Sequence, residues 1–150
     1  MRVYLVIMDE TDEAATALRF ASRRANRTGG AVHLLALVPP QEFVAFGAVQ
    51  ATIEEEARAR AEALVTAAAG SLLSEGGKTP VIAVMDGDAV TVIRDYLHQH
   101  PEVSALVLGA QAEAGPGPLI SHFAGIAGQL PCPLYIIPGG LNDEQIERLS

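Results

Sequence analysis

A glycine-rich segment with the sequence GAQAEAGPGPLIS, residues 109–121, has the composition of a loop that binds an anion. It leads into a segment with helical periodicity, so its free main-chain N–H groups would lie at the N-terminus of a helix. Ser121 would add a hydroxyl as the N-cap of that helix, and His122 would add a cation when protonated. Pro116 and Pro118 have no N–H, so two donors are missing. The segment therefore predicts either an anion site with few donors or a rigid scaffold that binds nothing.

A second group of polar residues is acidic and follows the first apolar run of the chain. Asp9 is followed by Glu10, Asp12 and Glu13. Such a group is typical of a Mg²⁺ site or a phosphate-receiving pocket, or else of a turn and a helix N-terminus, with Thr11 or Asp12 as the N-cap. A phosphate receiver also needs a lysine after the fifth strand, and the only lysine is Lys78. We therefore favour the turn and the N-cap.

Five short apolar runs rich in β-branched and aliphatic residues predict the strands that position these groups. They are Val3 to Met8, Val32 to Val38, Val81 to Met85, Val103 to Leu108, and Leu134 to Ile137. Because the runs are nearly continuous, both faces of each strand should be covered. Segments with helical periodicity lie between the runs. The third begins after Asp88, its expected N-cap, and the last extends from about Ser121 to Leu130.

The alternation predicts an α/β fold, a doubly wound five-stranded parallel sheet with helices on both faces. It forms one domain over residues 1–150, with a tail at 141–150 that is peripheral or packs on the body or on a partner. Ligands of such sheets bind outside the carboxyl ends of the strands, where the strand order reverses. We therefore expect any site to involve Asp9 and the glycine-rich segment.

The charge of the chain excludes some functions. With 10 basic and 18 acidic residues, its formal net charge is -8, which disfavours nucleic-acid and membrane-surface partners. Cys132 is the only cysteine, so no internal disulfide can form, and we predict a cytoplasmic protein. No Lys or Arg lies between Arg94 and Arg148. A triphosphate at the glycine-rich segment would therefore find no cation from that part of the chain.

The chain resembles the universal stress protein family over essentially its full length. The matching segments are VYLVIMDETDEA, LRFASRRANRTGGAVHLLALV, DGDAV, VLGA and LPCPLYIIPG. The resemblance implies an αβα sandwich with strand order 3-2-1-4-5, in which strands one and four bring Asp9 and Gly109 together. It also implies a homodimer formed through the last strand, by Leu134, Tyr135, Ile136 and Ile137.

One branch of that family binds ATP, and its motif is matched here in part. Asp9 matches an aspartate that contacts the adenosine end, Leu37 stands where a residue lining the adenine pocket is expected, and Gly109 matches the first glycine of the phosphate loop. Ala112 and Ile120 replace the second and third glycines of that loop. The resemblance and the loop together give seven candidate ligand-binding residues: Asp9, Leu37, Gly109, Gly115, Gly117, Ser121 and His122.

Two functions stay open. In the first, the protein is a stress-response module that binds ATP with Mg²⁺, another adenine nucleotide or a smaller anion between strands one and four. In the second, it is a dimeric interaction or regulatory protein of the same family that has lost nucleotide binding. We predict no catalytic residue and no metal site in the protein itself, although slow ATP hydrolysis stays open.

Overall fold

Strands and helices alternate along the chain in the computed structural model, which describes residues 1–38, 40–41 and 47–150. The strands are β1 (Val3–Met8), β2 (Ala31–Val38), β3 (Val81–Asp86), β4 (Ala105–Ala110) and β5 (Leu134–Pro138). The helices are α1 (Asp12–Thr28), α2 (Gly47–Ser74), α3 (Ala89–Gln99), α4 (Gly117–Gly125) and α5 (Asp143–Leu149). The predicted alternation is confirmed.

The strands form one parallel sheet with the order β3-β2-β1-β4-β5. In its centre Val6 of β1 pairs with Leu34 of β2 on one side and with Val107 of β4 on the other. The predicted fold class and strand order are therefore confirmed. Because the order reverses between β1 and β4, the carboxyl ends of these two strands form the switch point of the sheet.

Two apolar cores lie on the two faces of the sheet. Tyr4 and Val6 belong to the core under α1 and α2, whereas Leu5 and Ile7 belong to the core under α3 and α4. Successive side chains of a strand point to opposite faces, so a strand covered on both sides needs apolar residues at every position. This is why the sequence shows continuous apolar runs.

Two predicted helix starts are confirmed, and of the two N-caps predicted for α1 the structure shows Thr11 rather than Asp12. The hydroxyl of Thr11 accepts a hydrogen bond from the main-chain N–H of Ala14 at 3.2 Å and caps α1. The carboxylate of Asp88 accepts from the N–H of Thr91 at 3.1 Å and caps α3. The hydrogen bonds from Thr91 hold the pKa of Asp88 below its usual range. The hydroxyl of Thr11 and the carboxylate of Asp88 therefore stabilise the N-termini of these two helices.

The predicted boundaries of the fourth strand are wrong. β4 spans Ala105–Ala110 rather than Val103 to Leu108. Val103 is buried in the turn after α3, outside the sheet. At the other end Gly109 and Ala110 pair with β5 and lengthen the strand. Burial in a turn and burial in a strand leave the same apolar signal in the sequence.

The predicted start of the fourth helix is also wrong. α4 begins at Gly117 and ends at Gly125, followed by a 3₁₀ turn at Ala127–Gln129. Pro118 lies in the first turn of the helix, where its missing N–H costs no intrahelical hydrogen bond. Ser121 is consequently an exposed residue inside the helix and not its N-cap.

The longest helix, α2, has 28 residues and packs on the sheet through small side chains. Its buried residues are Ala57, Ala61, Val65, Ala68, Ala69 and Leu72. On its outer face Arg58 pairs with Glu62 at 3.2 Å and with Asp86 of β3 at 2.9 Å. No helix within residues 1–38, 40–41 and 47–150 has the length and hydropathy needed to span a bilayer.

The tail forms a helix that packs on the body of the same chain. Ile146 of α5 is fully buried, and Glu147 pairs with Arg23 and Arg27 of α1 at 2.5 Å each. These two arginines hold the pKa of Glu147 below its usual range. Asn142 and Gln145 cap the helix reciprocally, each side chain accepting from the other's main-chain N–H.

A buried polar cluster joins β2 to the end of α3. His33 of β2 shares a hydrogen bond of 2.7 Å between its Nδ1 and the hydroxyl of Tyr96, and the ring of His100 stacks on Tyr96 at 3.8 Å. Burial lowers the pKa of His33, aided by His100 and opposed by Glu102. Burial also raises the pKa of Tyr96 to about 12. His33 lies inside an apolar run of the sequence, which indicates a buried strand and gives no sign of a polar cluster.

We expect acid to destabilise the protein through His33. Its stabilising effect is complete above the unfolded pKa of about 6.5 and is lost as the pH falls toward the lower folded pKa, because the unfolded chain then binds a proton that the folded chain does not. Urea unfolding at a series of pH values measures this. The slope contributed by one group cannot exceed about 1.4 kcal/mol per pH unit.

The variant His33→Leu should lose that part of the pH dependence. His98→Leu, which changes an exposed histidine near the same helix end, should keep it. Equal slopes in the unmodified protein and in His33→Leu would contradict the assignment.

Candidate ligand-binding site at the strand-order switch

Asp9 lies exposed at the carboxyl end of β1, with its carboxylate held in one orientation. Its Oδ1 accepts hydrogen bonds from the main-chain N–H of Thr11 at 2.9 Å and from the hydroxyl of Thr11. This is an Asx turn, which fixes the side chain against the start of α1. Its Oδ2 has no hydrogen-bond partner among the residues that the structure describes. A ligand hydroxyl can therefore donate to this oxygen.

Two cavities meet at Asp9. The first, here called the α4-side cavity, has a volume of about 230 Å³ between the ends of β1 and β4 and the start of α4. It contains Asp9, Gly109 and Gly117, three of the predicted site residues. Its floor is apolar, with Ile7 and Leu108 from the two strands. The structure therefore brings β1, β4 and α4 together as the strand order predicts.

The second cavity, here called the α2-side cavity, has a volume of about 240 Å³ between the ends of β1 and β2 and the helix α2. Asp9 and Leu37 line it, so Leu37 lies on the opposite side of Asp9 from Gly109. Ala57, Ala61 and Leu64 of α2 complete its apolar wall. A ligand centred on Asp9 can therefore reach into both cavities.

A wider depression of about 590 Å³ lies beyond the switch point, at the ends of β2 and β3. It is lined by the carboxylates of Glu54, Glu55 and Asp86, together with Arg58. Arg58 already pairs with Asp86, so this surface disfavours an anionic ligand. We therefore assign the candidate site to the cavities at Asp9.

Gly109 is a glycine because α1 packs against it. A methyl group built on Gly109 would overlap the main-chain oxygen of Glu13 and lie 2.5 Å from its carbonyl carbon. These are backbone atoms in the first turn of α1, and no side-chain rotation can relieve the overlap. Close helix packing and close ligand approach could each require a glycine at this position, and the structure establishes the packing.

The N-terminus of α4 offers few donors to an anion. The N–H groups of the N-cap and of the first three helical residues have no intrahelical acceptor, and two of these four positions are Pro116, the N-cap, and Pro118. Gly117, between them, has φ of 79°, which favours glycine. The N–H groups of Gly117 and Leu119 therefore remain, and the α4-side cavity has no Lys or Arg among the described residues that line it.

Comparison with known proteins places the chain in a family. Residues 1–138 match the model of the Universal stress protein family. This chain belongs to that family. No protein of curated function matches the sequence significantly.

Solved structures of the family share the fold. The universal stress protein UspA from Lactobacillus plantarum is 22% identical, with a TM-score of 0.74 over 91% of this chain and 97% of that one. An Arabidopsis thaliana family protein with AMP bound is 14% identical, with a TM-score of 0.63 over 96% of this chain and 94% of that one. The Archaeoglobus fulgidus universal stress protein in complex with dAMP is 18% identical, with a TM-score of 0.58 over 91% and 97%.

Three of the predicted site residues lie away from both cavities. Gly115 and Ser121 are exposed and do not line them. His122 is half-buried, with its ring edge-on to Phe123 at 5.2 Å. It acts electrostatically on Asp88 at the start of α3. The structure therefore brings Asp9, Leu37, Gly109 and Gly117 to the switch point and leaves the other three outside it.

Two charged residues outside the seven candidates line these cavities. Glu13 lines the α4-side cavity and adds a second carboxylate beside Asp9. Arg60 of α2 lines the α2-side cavity and supplies a cation. Arg60 could have been found from helical periodicity, because its spacing from Ala57 and Leu64 places the three residues on one face of α2. In the described part of the chain, no three His, Cys, Asp or Glu side chains are grouped to hold a metal ion.

Proposed function

We propose that this universal stress protein binds an adenine mononucleotide, with the ribose at Asp9. The observation that carries the proposal is the fixed carboxylate with a free Oδ2 between two small cavities. Each cavity is smaller than the ~300 Å³ at the low end of small-molecule sites, so each suits one part of a ligand. The AMP and dAMP complexes of the Arabidopsis and Archaeoglobus family members support an adenine nucleotide.

A monophosphate fits this site better than ATP with Mg²⁺. Proline replaces two donors at the start of α4, and Glu13 and Asp9 add negative charge there. A triphosphate needs several donors or cations close to its oxygens, because electrostatic attraction from beyond ~8 Å is screened at physiological salt. We also propose a cytoplasmic stress-response role, on the basis of family membership.

We expect AMP to stabilise the protein against heat. At ten times its Kd, AMP should add about 1.4 kcal/mol to the free energy of unfolding, which corresponds to about 4 °C in Tm. ATP with Mg²⁺ at the same concentration should give a smaller shift. Melting scans and isothermal titration calorimetry measure both.

Asp9→Asn tests the site, since it keeps the side chain's shape and its acceptor for Thr11 but removes the charge that accepts the ribose hydroxyls. It should weaken AMP binding about tenfold, the value of one charge-assisted hydrogen bond. Asp95→Asn, on the exposed face of α3, is the control. No binding of adenosine, AMP or ATP by the unmodified protein would refute the nucleotide function.

The second candidate function, a dimeric interaction protein, is favoured by the outer edge of β5. This strand is last in the sheet, and Ile136 on it is 43% exposed. An uncovered apolar edge strand invites pairing with another chain. In sedimentation velocity we expect a dimer that Ile136→Glu dissociates, whereas Leu73→Glu on α2 leaves it intact. A monomer at micromolar concentration, or a dimer that survives Ile136→Glu, would contradict the β5 interface.

A further inference from the structure

We propose that the arginine-rich face of α1 is a docking surface for an acidic amphipathic helix of a partner protein, and that α5 covers this surface as a tethered competitor. The arginine-rich face consists of Arg19, Arg23, Arg24 and Arg27. α5 lies beyond residues 1–138, which match the family model, so family membership does not account for it. The inference is independent of the proposed nucleotide function.

The arginine-rich face concentrates positive charge in an acidic protein. It carries four of the ten basic residues of the chain within residues 19–27, although the formal net charge is -8. Arg19, Arg23 and Arg27 are four residues apart and therefore form one stripe along the helix. Like charges at this spacing repel one another, so a negatively charged neighbour stabilises the stripe.

α5 is that neighbour, and it shows which chemistry the surface binds. Its two acidic side chains that face α1 form three ion pairs: Asp143 with Arg19 at 3.4 Å, and Glu147 with Arg23 and Arg27 at 2.5 Å each. Ile146 lies on the same face of α5, three residues after Asp143, and is fully buried. The surface therefore binds a helix with two carboxylates four residues apart and an aliphatic residue between them.

α5 covers the arginine-rich face imperfectly, so another helix can displace it. α5 has seven residues, and its acidic side chains are exposed, so their ion pairs contribute little to its docking. Arg24 donates to the main-chain oxygen of Ser150 at 3.1 Å. The Nε of Arg24 and the hydroxyl of Ser150 are nevertheless buried without a hydrogen-bond partner among the described residues. Such unpaired groups weaken the contact.

The covalent link between α5 and the sheet decides which partners can compete. A segment joined to its binding surface by a short linker has an effective concentration in the millimolar range, so α5 excludes weakly bound acidic segments. A longer acidic helix is more stable by itself than α5, and it can offer a carboxylate to the Nε of Arg24. The competition therefore favours acidic amphipathic helices over acidic side chains in general.

Fluorescence anisotropy with a labelled peptide of the tail sequence, GGLNDEQIERLS, tests whether the surface accepts an acidic helix from another molecule. The unmodified protein should bind this peptide weakly, because its own α5 occupies the surface. Ile146→Ala loosens α5, so this variant should bind the peptide about tenfold more tightly. Glu147→Gln keeps the buried Ile146 and removes two ion pairs, so it should bind about threefold more tightly than the unmodified protein.

Two further comparisons identify the surface and the chemistry of its partner. Adding Arg23→Gln and Arg27→Gln to the Ile146→Ala protein should weaken peptide binding about fivefold. Arg94→Gln, on the exposed face of α3, is the control in the same background and should have no effect. A peptide that carries Ile146→Ser keeps its charge and should bind about fivefold more weakly than the tail peptide.

The proposal is overturned if neither Ile146→Ala nor Glu147→Gln binds the peptide more tightly than the unmodified protein does. It is also overturned if the arginine substitutions leave the affinity unchanged, since the peptide would then bind elsewhere. Equal binding of the tail peptide and its Ile146→Ser form would show attraction by charge alone and would exclude an amphipathic helix as the partner.

Discussion

Replacing Gly109 by alanine is expected to lower the free energy of unfolding by about 3 kcal/mol, the upper range for inserting a methyl group into a packed interior. The new methyl would overlap the main-chain oxygen of Glu13 and crowd its carbonyl carbon at 2.5 Å. Relief requires the first turn of α1 to move away from β4. Thr11 caps that turn and orients Asp9. We therefore expect the affinity for AMP to fall together with the free energy of unfolding.

Gly115→Ala is the matched control, because a methyl group on Gly115 meets no atom within 4 Å. It should change the free energy of unfolding by less than about 0.5 kcal/mol. Urea unfolding of the three proteins, followed by titration with AMP, measures both effects. A Gly109→Ala protein as stable as the Gly115→Ala protein would show that α1 does not depend on this glycine for its packing.

Replacing Ile146 by alanine is expected to cost about 3 kcal/mol, the middle of the range for removing a large aliphatic side chain from a core. Ile146 is fully buried between α5 and the body of the protein, while the ion pairs around it lie at the surface. Exposed ion pairs contribute little, so the apolar contact should dominate the docking of α5. Leu149→Ala, at a position 51% exposed on the same helix, should have almost no effect.

The docking of α5 also bears on the site. Gly139, which leads into the tail, accepts a hydrogen bond from the hydroxyl of Thr16 at 3.0 Å and donates to Ala110 of β4 at 2.6 Å. It packs closely on Glu13, as Gly109 does. Amide hydrogen exchange in Ile146→Ala should therefore rise in α5 and at Gly139. Unchanged exchange there, with unchanged stability, would contradict a structural role for the tail.

Much of the fold follows from local patterns. The run Val3 to Met8 coincides with β1, and Thr11 and Asp88 cap the helices that they were predicted to cap. The errors occur where two local signals compete. Ser121 resembles an N-cap, but the helix begins earlier at Gly117, because a proline in the first turn is as good a start. That difference moved Ser121 and His122 away from the cavities.

The strand order predicted which strand ends meet at the site, but it did not predict the cavities themselves. Asp9 and Gly109 come together because β1 and β4 are neighbours, which the family resemblance implied. Leu37 lies on the far side of Asp9, and Gly115 lies outside both cavities, which no linear spacing could reveal. Sequence spacing tells which face of an element a residue occupies, whereas a cavity is formed by several elements at once.

The sequence by itself determined the alternation of strands and helices, the acidic turn at Asp9 and the loss of donors at Pro116 and Pro118. These are properties of neighbouring residues, and short-range sterics and hydrogen bonding decide them. Only the tertiary structure decided where the cation lies. The basic-free stretch after Arg94 predicted no cation from that part of the chain, but α2 packs on β2 and β3 and brings Arg60 to the cavity that Asp9 also lines. Electrostatic interactions act through space, so the charge of a site depends on every helix packed against it.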